Sequence, residues 1–130
     1  MRYTYVATAY PNRQAVDAFR KRLPDGWKLS YDWTIHTFDD DPRNVCTNDL
    51  MGIAMADVIV FIMPGRKGAH VELGYALGLK KHVILVGRAW PEGAEWPERP
   101  FYLHPNILHV PDTESAIKLL EGWKDYGQID

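Results

Sequence analysis

Short apolar segments alternate with amphipathic segments along the whole chain. Five of them have the length and the β-branched or aromatic content of strands, and they are residues 3–9, 27–34, 58–63, 82–86 and 107–110. The later ones are continuously apolar, as expected of strands that helices cover on both faces of a sheet. The pattern therefore predicts a parallel α/β sheet.

Helical periodicity fills the intervals between these strands. Asn12 is placed to cap a first helix, and further helices are predicted over residues 45–55 and 69–79. Asp112 or Thr113 is placed to cap the last helix. Strand–helix units without a long crossover favour a doubly wound five-stranded sheet of strand order 2-1-3-4-5, built by residues 1–130 as a single domain.

Ligands of such sheets bind beyond the carboxyl ends of the strands, at the switch point between strands one and three. The turn after strand three contains Gly65, Arg66, Lys67 and Gly68. Glycines let backbone N–H groups approach a ligand, a helix N-terminus attracts anions, and the cations add charge. This turn is therefore a candidate site for a phosphate or a sugar hydroxyl, although a strand-to-helix turn also uses glycine for geometry alone.

Two carboxylates are predicted near the same edge of the sheet. Glu72 is placed in the first turn of the helix after strand three, where the helix dipole favours the ionised, nucleophilic form. Asp49 lies in the preceding predicted helix and can project toward the same crevice as a proton donor or acceptor. Paired carboxylates are the minimum equipment for glycosyl chemistry.

Composition narrows the classes of partner. The chain has 130 residues, 46% hydrophobic and 25% charged, with 15 Lys plus Arg against 17 Asp plus Glu. Without a basic excess, nucleic acid is a poor candidate partner. The longest apolar stretch, residues 58–64, is far shorter than the ~20 residues of a membrane span, and no signal-peptide pattern is present, so a cytoplasmic protein is expected. The single cysteine, Cys46, excludes an internal disulfide and a cysteine-rich zinc site.

Three segments together resemble the successive motifs of the nucleoside 2-deoxyribosyltransferase family. They are residues 47–53 (TNDLMGI), 56–60 (ADVIV) and 68–76 (GAHVELGYA), and their order and spacing agree as well as their letters. The resemblance extends from Met1 to about Val86 and implies a flavodoxin-like fold. It also implies that Glu72 attacks the anomeric carbon of deoxyribose to form a glycosyl-enzyme, with Asp49 assisting the base or the sugar.

The resemblance further implies a substrate. Members acting on free nucleosides often carry an acidic pair before the motif glycine, whereas this chain has Arg66 and Lys67, which suits a 5′-phosphate. We therefore expect cleavage of the N-glycosidic bond of a 2′-deoxyribonucleoside or its 5′-monophosphate, with no metal and no cofactor. The expected substrate-binding residues are Thr8, Ala9, Tyr10, Gly65, Arg66, Gly68 and His70.

The expected assembly is a homodimer or a higher homo-oligomer. One domain without a separate substrate domain needs local loops or another subunit to close its site, and the family's transferases borrow residues from a neighbouring C-terminus. Residues 126–130 show no clear match to that segment. Transfer of the sugar to water and transfer to another base therefore both stay open.

Two other interpretations of the glycine-rich turn also stay open. The turn can hold a nucleotide for sensing, without turnover. The spacing Pro64-Gly65-x-x-Gly68-x-x-x-Glu72 is also shared with the P-G-G-x-G-T-x-x-E motif of phosphoribohydrolases acting on cytokinin nucleotides. Both related families break an N-glycosidic bond.

Several residues around the predicted site have an ordinary structural alternative. Trp33 suits a platform for a nucleobase, but a core position is favoured. His36 is a titratable candidate on the same rim, and a solvent-facing position is the alternative for His70. Residues 39–41 are three consecutive aspartates, which predict a solvated loop rather than a metal site. Residues 88–105 are interpreted as a lid, a subunit contact or an irregular surface segment.

Overall fold

The computed structural model describes residues 1–87 and 99–123. It contains a parallel sheet of order β2-β1-β3-β4-β5, which confirms the predicted fold class. The strands are β1 (Arg2–Ala7), β2 (Trp27–Leu29), β3 (Val58–Ile62), β4 (His82–Val86) and β5 (Ile107–Val110). The helices are α1 (Gln14–Lys21), α2 (Pro42–Met55), α3 (Lys67–Gly78), α4 (Arg99–Tyr102) and α5 (Thr113–Glu121).

The central strand β3 is buried along its whole length, because helices cover both faces of the sheet. On one face, Val60 and its neighbours pack against α1 and α5, through residues such as Phe19 and Leu120. On the other, Ile59 and its neighbours pack against α2 and α3. Alternating strand residues point to opposite faces, which is why two separate cores form.

Several predicted boundaries were wrong. The first strand ends at Ala7, and residues 10–12 form a short 3-10 helix, so Asn12 does not cap α1. The second strand stops at Leu29, since the chain turns into a second 3-10 helix over Trp33–Ile35. Residues 30–34 were predicted as strand because their apolar and polar side chains alternate. In the structure this edge strand pairs only with β1, over three residues, and the pairing does not extend to them.

The helices around the site begin earlier than predicted. α2 starts at Pro42, because the Asp41 side chain accepts a hydrogen bond from the Arg43 backbone and caps the first turn. α3 starts at Lys67 rather than at residue 69. Asp112, rather than Thr113, caps α5, because its side chain accepts a hydrogen bond from Ser115 N.

The predicted connection over residues 88–105 is only partly described. Its last third contains α4, a short helix that the sequence did not predict. Residues 88–98 and the C-terminal residues 126–130 lie outside the described part of the chain. Within residues 1–87 and 99–123, no helix has both the length and the apolar character that crossing a bilayer requires.

Candidate active site

The carboxyl ends of β1 and β3 open into a cavity of about 490 Å³, at the switch point where the sequence places a site. Its walls come from the turn after β1, from α2 and from the start of α3. The lining residues are Thr8, Ala9, Tyr10, Pro11, Trp33, Cys46, Asp49, Leu50, Arg66, Gly68, Ala69, Val71 and Glu72. Both predicted catalytic carboxylates, Asp49 and Glu72, therefore lie on one cavity.

Glu72 is held in the cavity wall by a residue that the sequence analysis did not single out. The Tyr5 hydroxyl, which is fully buried in β1, donates a hydrogen bond to Glu72 Oε2 at 2.5 Å. Burial raises the pKa of Glu72 to about 7, and the negative charge of Asp49 adds to that rise, while the Tyr5 hydrogen bond opposes it. The carboxyl is therefore poised to change protonation near neutral pH.

This arrangement corrects the predicted electrostatics of Glu72. Because α3 begins at Lys67, Glu72 is in its second turn rather than its first. The helix dipole acts mainly within the first turn, so removal from water outweighs it. The carboxylate is less readily ionised than an ordinary glutamate, which is the opposite of the expectation from the sequence.

Asp49 projects from the middle of α2 into the same cavity. Burial raises its pKa, and His36 opposes that rise. His36 Nε2 lies 3.5 Å from Asp49 Oδ1 but only 2.8 Å from the Tyr31 hydroxyl. Oδ1 is buried and accepts no close hydrogen bond within the described part of the chain, so removal from water is the main cause of the raised pKa of Asp49.

The turn after β3 supplies positive charge at the cavity. Arg66 lines the cavity and precedes α3 without a side-chain hydrogen bond to cap it, so the N–H groups of the first turn are available to an anion. Gly68 also lines the cavity, and a Cβ placed there would meet no heavy atom within 4 Å. Gly65 is not among the described residues that line the cavity, and a Cβ placed there would lie 2.3 Å from the Phe61 ring. The lack of a side chain at Gly65 therefore lets the turn pack closely against Phe61.

Thr8 and Ala9 line the cavity but have structural roles as well. The buried Thr8 hydroxyl donates to Ile62 O at 2.8 Å and accepts a hydrogen bond from Asn12 Nδ2 at 3.0 Å. Ala9 N donates to Pro64 O at 3.0 Å. These bonds fasten the turn after β1 to the turn after β3, and so fix the two rims of the cavity relative to each other.

His70, weighed from the sequence as a phosphate contact or a solvent-facing residue, is hydrogen-bonded to two other residues of the protein. It is half-buried, with Nδ1 2.7 Å from Arg66 O and Nε2 2.6 Å from the hydroxyl of Tyr102. Since a carbonyl oxygen only accepts, Nδ1 donates to Arg66 O, and Nε2 is hydrogen-bonded with the Tyr102 hydroxyl. His70 is not among the described residues that line the cavity, and it joins the Arg66 backbone to α4 instead.

An aromatic cavity of about 440 Å³ adjoins the first one. Its walls include Tyr10, Trp33, His36 and Phe38, and it shares Asp49 with the first cavity. The Tyr10 ring lies 6.5 Å from that of Trp33 and 5.8 Å from that of Phe38, centroid to centroid. Tyr10 and Trp33 line both cavities, whereas Arg66 and Glu72 line only the first.

Trp33 was predicted to be a core residue, but in the structure it is only partly buried. Its Nε1 donates to Val6 O at 2.6 Å, which anchors the indole at the end of β1. The rest of the ring packs against both cores and also lines both cavities. The short 3-10 helix that replaces the end of the predicted strand brings Trp33 to this position.

The aspartates of residues 39–41 have separate roles in the loop before α2. Asp40 accepts from Thr37 N and lies 3.5 Å from His36 Nδ1, whereas Asp41 caps α2. In the described ranges, no three His, Cys, Asp or Glu side chains come together as a potential metal site.

Sequence reasoning missed Tyr5, Tyr31 and Tyr102, whose hydroxyls are hydrogen-bonded to Glu72, His36 and His70 in that order. In the sequence, Tyr5 is one more aromatic residue in an apolar strand. The sequence does not show that its hydroxyl meets Glu72, because that contact forms only when β1 and α3 pack together. The only available signal was the presence of a polar atom in a segment predicted to be buried on both faces.

Comparison with solved structures shows the same fold in two other proteins. A CMP N-glycosidase of Clostridium botulinum, BcmB, superposes with a TM-score of 0.62 at 18% identity, over 94% of this chain and 99% of that one. A conserved protein of Enterococcus faecalis V583 superposes with a TM-score of 0.64 at 14% identity, over 95% and 99%. No protein-family model and no curated protein sequence matches the chain.

Proposed function

We propose that this protein is an N-glycosidase that acts on nucleoside 5′-monophosphates, with Glu72 as the nucleophile and Asp49 as the proton carrier. The observation that carries the proposal is the convergence of these two carboxyl groups on one cavity, one of them poised near pH 7. The fold shared with a CMP N-glycosidase supports the same class of reaction. The resemblance in sequence favours 2′-deoxyribose as the sugar.

The reaction proceeds in two displacement steps. In the first, ionised Glu72 attacks C1′ of the sugar, the C1′–N bond breaks, and its electron pair goes to the base as Asp49 delivers a proton. In the second, Asp49 takes a proton from water, the oxygen attacks C1′, and Glu72 is released. Another base in place of water gives base exchange. The raised pKa of Asp49, which favours its protonated form, supports this proton-carrying role.

A phosphate on the sugar fits the turn between β3 and α3. Arg66 and Lys67 are exposed there, and the first turn of α3 has no side-chain cap. An anion at this position is stabilised by the N–H groups, the helix dipole and the two cations together. The proposal therefore predicts a preference for nucleotides over nucleosides, and Arg66→Ala should reduce that preference.

The aromatic cavity suits the nucleobase. Tyr10, Trp33 and Phe38 line it, and stacking on aromatic side chains contributes about 1–3 kcal/mol per base by alanine substitution. Asp49 lies on the wall common to both cavities, where the glycosidic bond of a nucleotide that spans them would be.

The test is chromatography of ribonucleoside and 2′-deoxyribonucleoside monophosphates, and of the matching nucleosides, after incubation with the protein. Release of free base and sugar 5-phosphate is the expected result, and a second base added in excess separates hydrolysis from exchange. If no base is released from any common nucleotide, the proposal is wrong. Tight binding without product in the same samples would instead support a nucleotide sensor.

A further inference from the structure

The His70 side chain makes two short hydrogen bonds at the start of α3. Its Nδ1 donates to Arg66 O at 2.7 Å, and its Nε2 lies 2.6 Å from the Tyr102 hydroxyl. The helix itself needs neither bond, because Arg66 O already accepts the ordinary helical bond from His70 N at 3.0 Å. The ring therefore adds a second donor to a carbonyl that has one.

The second donor fixes the peptide group that joins Arg66 to Lys67. In a trans peptide, the carbonyl and the N–H of the next residue point in opposite directions. Arg66 O is directed along α3 toward His70, so the Lys67 N–H is directed out of the start of the helix, where no described side chain caps α3. This N–H is one of the donors available to a phosphate at the turn.

The backbone on both sides of this peptide is permissive. Gly65 precedes Arg66 and Gly68 follows Lys67, and glycine has more conformational freedom than any other residue. The turn loses that freedom when it adopts one shape around an anion. A bond that fixes the middle peptide in advance lowers the entropy that binding has to overcome.

The His70 ring is itself held between two aromatic side chains. Phe61 of β3 meets it edge-on, with 5.4 Å between the ring centroids, and Tyr102 of α4 lies at 5.7 Å. Tyr102 is only 2% exposed, and its carbonyl accepts a hydrogen bond from His109 Nε2 of β5 at 2.8 Å. The ring therefore has a position set by two strands of the sheet, and it transmits that position to the turn.

We propose that His70 is a positioning residue for the 5′-phosphate of the substrate, and that it acts through the peptide between Arg66 and Lys67. This inference rests on the proposed function, because it takes the phosphate at the turn as given. It replaces the direct contact expected from the sequence, since His70 is not among the described residues that line the cavity. Its loss should weaken the binding of ligands that carry the phosphate and spare those that lack it.

Asparagine and leucine give a matched pair of substitutions at position 70. The two side chains have the same branched shape, and both lack the ring and its contact with Tyr102. Asparagine alone has an N–H donor, which is as many bonds from Cα as Nδ1, so His70→Asn can still donate to Arg66 O. Loss of ring packing affects both variants alike, and the difference between them measures the donor.

The experiment is calorimetric titration with 2-deoxyribose 5-phosphate, a product of the proposed reaction whose binding needs no turnover. His70→Leu should bind it about tenfold more weakly than the wild type, which corresponds to one hydrogen bond of ordinary strength. His70→Asn should lie within about threefold of the wild type. His82→Asn is the control, because His82 begins β4 and so lies at the edge of the sheet opposite the cavity. It should bind as the wild type does.

Titration with 2′-deoxynucleosides, which lack the phosphate, separates positioning from a general defect, and their affinities should be equal in all four proteins. Equal affinities of His70→Asn and His70→Leu for the sugar phosphate overturn the proposal, and so does an equal loss of affinity for the nucleosides. A wild type that does not bind the sugar phosphate also overturns it.

Circular dichroism checks the folding of each variant. If His70→Leu does not fold, His70→Ala takes its place, since alanine also lacks a donor. A tenfold or greater loss of affinity in a folded His70→Asn overturns the proposal without either of them. If the expected pattern is found but no nucleotide releases its base, the N-glycosidase assignment is wrong and the role of His70 stands.

Discussion

At the scale of single residues, the site depends on one buried carboxyl and its tyrosine. Tyr5 donates to Glu72 at 2.5 Å, and burial holds the pKa of that glutamate near 7. In the proposed reaction Glu72 must be ionised to attack carbon, so the deprotonated form is expected to be the active one. For the free enzyme, kcat/KM should therefore rise with pH and level off above about pH 7.

The variant Tyr5→Phe tests this coupling. The Tyr5 hydrogen bond lowers the pKa of Glu72, so its loss should raise that pKa and move the rising limb of the pH profile to higher pH. The activity that remains should recover in alkaline buffer. A Tyr5→Phe profile that overlays that of the wild type would show that the hydroxyl does not control the ionisation of Glu72.

Glu72→Gln should increase the stability of the fold in alkaline solution. The pKa of Glu72 is about 7 in the folded state against 4.5 for an ordinary glutamate, so the folded state binds the proton more tightly. This stabilising contribution is fully present below the unfolded pKa and is lost as pH rises to 7 and beyond. An amide does not titrate, so the unfolding free energy of Glu72→Gln should exceed that of the wild type by about 2–3 kcal/mol at pH 8.

Denaturant titration at pH 4 and pH 8 checks this expectation. The difference in unfolding free energy between Glu72→Gln and the wild type should be largest at pH 8 and small at pH 4. Glu121→Gln, an exposed position at the end of α5, serves as the control and should show little difference at either pH. An equal or lower stability of Glu72→Gln at pH 8 would contradict a raised pKa.

At the scale of elements, the turn from β3 to α3 depends on a close approach that only one of its glycines makes. In Gly65→Ala the new Cβ would meet the Phe61 ring at 2.3 Å, and we expect a loss of about 1–3 kcal/mol in unfolding free energy. Gly68→Ala adds a methyl group in open space and should preserve stability. Thermal unfolding of both variants separates the two roles, and equal melting temperatures would contradict this assignment.

The link between α4 and the same turn gives a second prediction at this scale. Tyr102→Phe removes the hydrogen bond to His70, which in turn orients the Arg66 carbonyl. If the turn binds the phosphate, KM for a nucleotide should rise several-fold, with a smaller change in kcat and little change for the matching nucleoside. Steady-state kinetics on both substrates makes the measurement, and equal effects on both would assign Tyr102 a purely structural role.

The elements also show what could be predicted from sequence. Buried parallel strands are continuous apolar runs, so β3 and β4 were predicted within one residue, and the strand order followed from the alternation of strands and helices. Asp49 and Glu72 were placed on one rim by topology alone. The pKa of Glu72 could not be predicted, because it depends on how far α3 buries that side chain and on a hydroxyl from β1. The end of the second strand could not be predicted either. The 3-10 helix that begins at Trp33 places this indole so that it donates to Val6 O in β1, a contact distant in the sequence.

At the scale of the whole molecule, the two sides of the sheet differ in kind. α1 and α5 provide a charged, solvated surface, while α2 and α3 carry both catalytic candidates and an uncharged outer surface. The cavity lies where that surface meets the carboxyl ends of β1 and β3. Both catalytic candidates and this uncharged surface thus lie on the same two helices.

The proposed nucleophilic role of Glu72 is tested most directly by the rate of base release by the wild type, Glu72→Gln and Glu121→Gln on the best nucleotide substrate. Removing a covalent nucleophile should lower kcat by about a thousandfold or more, while the exposed control keeps wild-type activity. Of the three proteins, only Glu72→Gln should lose activity. Base release by Glu72→Gln at the wild-type rate would contradict it.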